Sequence, residues 1–250
     1  MFNEKASFGD SARVGRICDP SLRRFGHDGL TVTQIAPEYP GTFDNNPVGA
    51  TTGYSTVSDW AYRGTIAFSS DGGVQQGTTG SYAQPAGDTS HYLWGVNGAA
   101  APFDIYLGGL TGSVVIFKSY QPDSFNIYWG SIDALVNIPP PDGRYDNTLT
   151  VYGLPGFSIG SITGSELVAA MGLSPAVFGL GDQFDANDNQ WFNISAGQPI
   201  LAFNAYSTNN AFEFDMGTPE PSTWAMMLLG FAGLGYAGFR RAAKSSVSIA

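Results

Sequence analysis

The feature that most constrains this chain is a stretch without charge near its C-terminus. From Trp224 to Phe239 there is no Asp, Glu, Lys or Arg; Met226, Met227, Leu228, Leu229, Phe231, Leu234, Tyr236 and Phe239 alternate with small Gly and Ala. A helix of about 16 residues extends roughly 24 Å, a little short of a ~30 Å hydrocarbon core. Thr223 at one end and snorkelling Arg240 and Arg241 at the other cover the shortfall. The segment has no polar face, so it fits lipid better than a seat on a globular domain. Pro219 and Pro221 cannot lie inside a helix, and Ser222 or Thr223 can cap one, so a single transmembrane helix is predicted from about Ser222 to Arg241. Arg240, Arg241 and Lys244 sit only on its C-terminal side, which by the positive-inside rule places that end in the cytoplasm and everything before Pro219 outside.

The order Pro219-Glu220-Pro221, then Trp224-Ala225, a Gly-rich apolar span and Arg240-Arg241 resembles the PEP-CTERM sorting signal of Gram-negative surface proteins, in its Pro-Glu-Pro-x-x-Trp-Ala variety. The resemblance covers Pro219 to Arg241. It implies a substrate of an exosortase, a membrane peptidase that recognises the Pro-Glu-Pro region and releases the ectodomain. It also implies a stay in the inner membrane through the C-terminal helix, then the cell surface or the medium, and an association with exopolysaccharide or biofilm. The sorting residues carried over are Pro219, Glu220, Pro221, Trp224, Ala225, Arg240 and Arg241. Two prolines hold Glu220 and Thr218 in extended or polyproline geometry, which presents one acid on a stiff, solvated strand above the membrane.

Upstream, the chain reads as one domain over residues 29–217. Between Gly29 and Gly217 three cations (Arg63, Lys118, Arg144) face sixteen acids, a net charge near −13. Such a surface repels nucleic acid and anionic lipid, and it suits a neutral glycan, a divalent cation or solubility alone. Cys18 is the one cysteine, so no intramolecular disulfide forms and stability must come from packing. Gly15-Arg16-Ile17 before it, with no apolar run, is not a lipoprotein context. Residues 1–28 are basic and hold no apolar run of secretory length, which conflicts with export. The favoured expectation is a misassigned start or a truncated signal peptide, the other being a relic that is not exported. In either case the stretch is expected to be poorly ordered.

From Leu30 onward, short β-like runs alternate with turn residues. Strands are predicted at Leu30–Ile35, Tyr62–Phe68, His91–Val96, Phe103–Leu107, Ser113–Ser119, Phe125–Trp129, Thr148–Leu154, Phe157–Ile162, Gln190–Ile194, Ile200–Asn204 and Ala211–Asp215. Pro37 to Asp59 reads as a long loop, and Ser69 to Ser90 as loop with at most a hairpin. One helix is predicted at Glu166–Met171, capped by Ser165 and ended by Gly172. The pattern is all-β: an antiparallel β-sandwich of the jelly-roll kind as ectodomain, followed by the transmembrane helix. Alternation nominates Phe125, Ile127, Trp129, Val151, Phe203, Phe212 and Phe214 as core. The stretches Tyr128–Asp133, Tyr145–Thr150 and Ala211–Asp215 are similar to those of exosortase-dependent surface proteins of cyanobacteria and proteobacteria, a group that implies placement rather than chemistry.

Catalytic signals are weak. Gly156-Phe157-Ser158-Ile159-Gly160 matches a nucleophile elbow, but His27 and His91 both precede Ser158 and β-like sequence follows it, so a turn is the better reading. His91 lacks companions for a transition-metal site and is expected at a strand end. Asp182 to Asn189 gathers three Asp and two Asn, yet Gln190 and Ala196 stand where an EF-hand needs Gly and Glu. A solvated Asx turn is preferred there over a looser Ca²⁺ site. Only Glu38, Glu166 and Glu213 supply glutamates in the domain, none in a catalytic context. Trp60, Trp94 and Tyr92 are the aromatics considered for sugar stacking, with the core as the commoner fate. The sequence therefore favours a non-enzymatic surface or matrix protein, with no cofactor, no metal and no catalytic residue assigned. The alternatives are a lectin-like carbohydrate-binding module, with or without Ca²⁺, and a secreted hydrolase.

Overall fold

The computed structural model describes residues 24–27, 29–38, 40–59, 61–79, 81–95, 110, 112–134, 147–173, 188–207, 212–217 and 231–232. The strand predicted at Phe103–Leu107, the turn Asp182–Asn187, Trp60 and the sorting residues Pro219, Glu220, Pro221, Trp224, Ala225, Arg240 and Arg241 lie outside these. Among the described residues no helix is long and apolar enough to cross a membrane. Phe231 and Ala232 are helical and exposed.

The described strands are β1 (Arg24–His27), β2 (Leu30–Gln34), β3 (Thr52–Ser58), β4 (Arg63–Ser70), β5 (Gly73–Gln75), β6 (Tyr92–Gly95) and β7 (Ser113–Phe117). After them come β8 (Ser124–Gly130), β9 (Asn147–Gly153), β10 (Ser158–Thr163), a helix α1 (Gly164–Ala170), β11 (Gln190–Ser195), β12 (Ile200–Ser207) and β13 (Phe212–Met216). They form two antiparallel sheets. The first has the order β1-β2-β11-β8-β13-β6-β5 and the second β10-β9-β12-β7-β4-β3.

From β6 onward the pairing is nested. The first of these strands pairs with the last, β6 with β13, and then β7 with β12, β8 with β11 and β9 with β10. This is the arrangement made by bending one long hairpin and rolling it so that alternate pairs fall in opposite sheets.

Period-two alternation drives the stacking of the sheets. Phe125, Ile127 and Trp129 on β8, Phe212 and Phe214 on β13, Val151 on β9 and Phe203 on β12 are all fully buried, as predicted. Phe125 of the first sheet stacks on Phe203 of the second with centroids 4.7 Å apart and planes at 8°. Trp129 lies on Phe212 at 4.5 Å. Burying each such ring stabilises the fold by about 1.5–3 kcal/mol before entropy is subtracted.

Three boundaries differ from the sequence reading. The expected loop Pro37–Asp59 contains a full strand, β3, paired along its length with β4. Only Val57 of that strand is a buried apolar residue, so hydrophobic alternation gives almost no sign of it. β1 lies inside the stretch 1–28 expected to be poorly ordered, yet residues 24–27 form a strand that pairs with β2 from Arg24↔Thr33 to His27↔Leu30. The helix is capped by Thr163, not Ser165: Thr163 Oγ1 accepts from Glu166 N, and the Glu166 carboxylate accepts from Thr163 N, a complete capping box. Gly172 follows the helix with φ +66°, as predicted for its terminator.

Candidate functional site: a strapped groove and the root of the tail

On β13 the odd and even positions have opposite fates. Phe212, Phe214 and Met216 enter the core, while Glu213 and Asp215 point to the outer face of the first sheet, yet both acids are buried. Two irregular segments cross that face, one around Pro37–Thr42 and one around Tyr82–Ser90. Loop backbone laid over a sheet needs partners for its N–H groups, and the acids supply them. Asp215 accepts from Gly41 N (2.6 Å), Thr42 N (3.2 Å), Met216 N (2.6 Å) and Ser90 Oγ (3.1 Å), so one carboxylate ties both straps to β13. Glu213 accepts from Ala83 N at 2.8 Å. Asp88 accepts from Ser90 N and Ser90 Oγ. His91, at the start of β6, donates its N–H to Asp44 and sets Nδ1 3.0 Å from the Asn46 carbonyl, the strand-end role expected of it.

Burial shifts these acids upward. Glu213 is pushed up to about 8, by desolvation first and by Asp133 after it. Its Oε2 meets no hydrogen-bond partner among the described residues. Asp215 is raised well above the usual carboxylate range, by burial first and then by the charge of Asp88, which is itself raised by burial. Burial also raises Tyr128 and Tyr92.

Between the straps a groove of about 330 Å³ remains open, lined by Pro37, Glu38, Ala86, Asn189, Gln190 and the aromatic pair Tyr128 and Trp191, among others. The register of β8 and β11 sets Trp191 opposite Tyr128. Their rings stack with centroids 5.1 Å apart and planes at 13°. Tyr128 OH donates to the Ala86 carbonyl, which fixes the ring. Asn189 Oδ1 accepts from Ala86 N and Ser131 N, holding the second strap against β8. Glu38 Oε1 accepts from Asn126 Nδ2 (2.8 Å), and Asn126 Oδ1 accepts from Asn193 Nδ2 (2.7 Å).

Of the aromatics considered for sugar contact, Tyr92 and Trp94 are buried beneath Tyr82, a small satellite of the core. Ser158 follows the β9–β10 turn, with Phe157 exposed beside it, in keeping with the turn reading. Asp188 and Asn189, the described end of the acidic stretch, are buried; Asp188 O accepts from Ile132 N. Among the described residues no cluster of three His, Cys, Asp or Glu is placed to hold a metal. Sequence reasoning missed Tyr128 and Trp191 as a pair, because only sheet register brings them together.

The tail is rooted at the same face. Gly217 follows β13 directly, and its carbonyl accepts from Ser58 N. A side chain at Gly217 would collide with Glu38 and Asp59. Asp59 in turn accepts from Ala61 N and Tyr62 N and is raised to about 6 by burial. Residues 218–242, beginning one residue later, match the family model of the PEP-CTERM protein-sorting motif. The chain carries a PEP-CTERM sorting motif. No curated protein matches this chain. No solved structure matches it either. The motif supports an exported surface protein targeted by an exosortase.

Proposed function

We propose that this chain is a non-enzymatic surface or extracellular-matrix protein: a jelly-roll-like ectodomain held at the inner membrane by the helix Ser222–Arg241 until an exosortase releases it. The observation that carries the reading is the PEP-CTERM motif at residues 218–242, which begins two residues after the last described strand of a folded β-domain. The nested pairing of β6 to β13 supports the jelly-roll class. Glu220 comes four positions after Met216, a reach of about 13 Å of extended chain, so the recognition element is tethered within that reach of the last described strand. Pro219 and Pro221 keep that link stiff. The domain's acidity suits a life beside neutral polymers such as exopolysaccharide, which do not repel it.

The test separates a recognition element from a spacer. With a functional signal peptide and the cognate exosortase present, Glu220→Ala is expected to leave full-length protein in the membrane and stop release, while the helix inserts unchanged. Release of Glu220→Ala at the parental rate would mean that the motif only spaces the domain from the bilayer.

A further inference from the structure

We infer that the free edge of β3 is a self-association surface, which pairs antiparallel with β3 of a second copy of this chain about a two-fold axis at Tyr54. The pairing goes beyond the sorting reading and does not rest on it.

Two hydrogen bonds fix which way the edge faces. Just beyond the ends of β3, Ser70 N donates to Thr51 O and Asp59 N donates to Tyr62 O, both in the register of the β3–β4 ladder. Residues along an antiparallel strand alternate between bonding one neighbour and facing away from it. The odd residues of β3 therefore bond β4, and Thr52, Tyr54, Thr56 and Ser58 turn their N–H and C=O groups outward. Ser58 N is taken by Gly217 O, which closes that end. Among the described residues no strand lies against β3 on this side. Tyr54 and Thr56 are exposed there.

The other sheet edges among the described strands are protected, and this one is not. β1 is four residues long and carries Arg24 and His27. β5 is three residues long, and its Val74 already exchanges bonds with Gly49 and Ala50. On β10 the register is broken between Ser158 and Gly160. By contrast, β3 runs seven residues against β4 without a break and holds neither charge nor proline. Length, flatness and lack of charge are what an added strand needs.

The pattern of β3 selects a second copy as the occupant. Antiparallel pairing about Tyr54 sets Tyr54 opposite Tyr54 of the copy, and Thr52 opposite Thr56. Each outward N–H of Thr52, Tyr54 and Thr56 then meets a carbonyl of the copy, and no group on this edge is left over. Directly opposed aromatic and Thr pairs favour such a ladder. Charge points the same way. With a net charge near −13 between Gly29 and Gly217, two copies repel over most of their surface, yet Asn45 to Ser58 holds no charged residue. One strand edge buries less than the roughly 1,200–2,000 Å² of a stable complex, so the dimer is a weak one.

The test is sedimentation equilibrium of the purified full-length chain in density-matched detergent, over a series reaching about 1 mM. The parent is expected to show a monomer–dimer equilibrium. Tyr54→Lys and Tyr54→Glu, both at an exposed position, are each expected to keep the parental Tm and to weaken the dimer about tenfold or more, because like charges meet at the axis. An equal mixture of the two is expected to restore it, since Lys then faces Glu. A contact elsewhere on the chain would not respond to the mixture. Thr56→Pro removes an outward donor without touching the β3–β4 ladder and is expected to weaken the dimer as well. Should Thr56→Pro lower Tm, the charged pair decides alone. Ser158→Lys, on the far edge of the same sheet, is expected to leave the dimer unchanged. A parent that stays monomeric throughout, charged variants that dimerise like the parent, a mixture no tighter than its components, or an equal loss in Ser158→Lys would each overturn the pairing. None of these results bears on release of the ectodomain, so failure here and failure of the sorting reading are distinguishable.

Discussion

The two sheets share one core but turn different chemistry outward. On the first, β13 aims Glu213 and Asp215 away from the core into buried positions, where straps of irregular chain donate N–H groups to them. On the second, one outward row runs Tyr54, Ala67, Ile116, Ala202, Tyr152 from β3 to β9, without a single charge. Tyr54 is 65 % exposed there, whereas Asp215 is wholly buried. The contrast shows what a buried carboxylate does in a domain with few cations: it anchors loops instead of forming ion pairs. An aliphatic residue at 215 would leave several strap N–H groups in a dry place with no acceptor.

The sharpest way to break this comparison is Asp215→Ala. It orphans donors from Gly41, Thr42 and Ser90 at once, and at about 1–3 kcal/mol for each buried unpaired group the expected loss is about 3 kcal/mol or more in urea unfolding. A loss under about 0.5 kcal/mol, the range of ordinary surface substitutions, would mean that the straps hold themselves.

A pH series sharpens it next. Glu213 titrates near 4.5 when unfolded and near 8 when folded. Between those values the folded state holds a proton that the unfolded chain has lost, so stability is greatest at the acid end of the window and falls as pH rises through it. Asp59 acts in the same direction between 3.8 and about 6. Glu213→Gln, a neutral mimic of the protonated acid, is expected to flatten the decline by up to about 1.4 kcal/mol per pH unit. An unchanged slope in that variant would remove Glu213 from the account. The smallest effect belongs to the second sheet: Tyr54→Ser is expected to change stability by no more than about 0.5 kcal/mol at any pH.

Much of the sandwich is legible in the sequence, and the reason is specific. Phe125, Ile127 and Trp129 alternate with Asn126 and Tyr128, and that period survives any choice of partner strand. β3 is not legible this way, since Thr52-Gly53-Tyr54-Ser55-Thr56-Val57-Ser58 owes its place to β4 and offers one apolar core contact. The cap of α1 was readable: Thr163 and Glu166 stand at capping-box spacing, a stronger signal than Ser165 alone. Sheet register alone joins Tyr128 to Trp191, and a fold-dependent crossing of straps joins Glu38 to Asn126. Neither leaves a local trace in the sequence.

The nested pairing also fixes an order of events. β13 lies in the interior of its sheet, between β8 and β6, yet it is the last described strand and Gly217 alone separates it from the sorting motif. A chain that emerges from its N-terminus cannot close this sheet until Met216 is free, and until then β8 and β6 each present an open edge to other strands. The stretch that completes the domain is thus the one delivered just ahead of the tail. Whatever handles the tail meets a domain that has only just become able to shut.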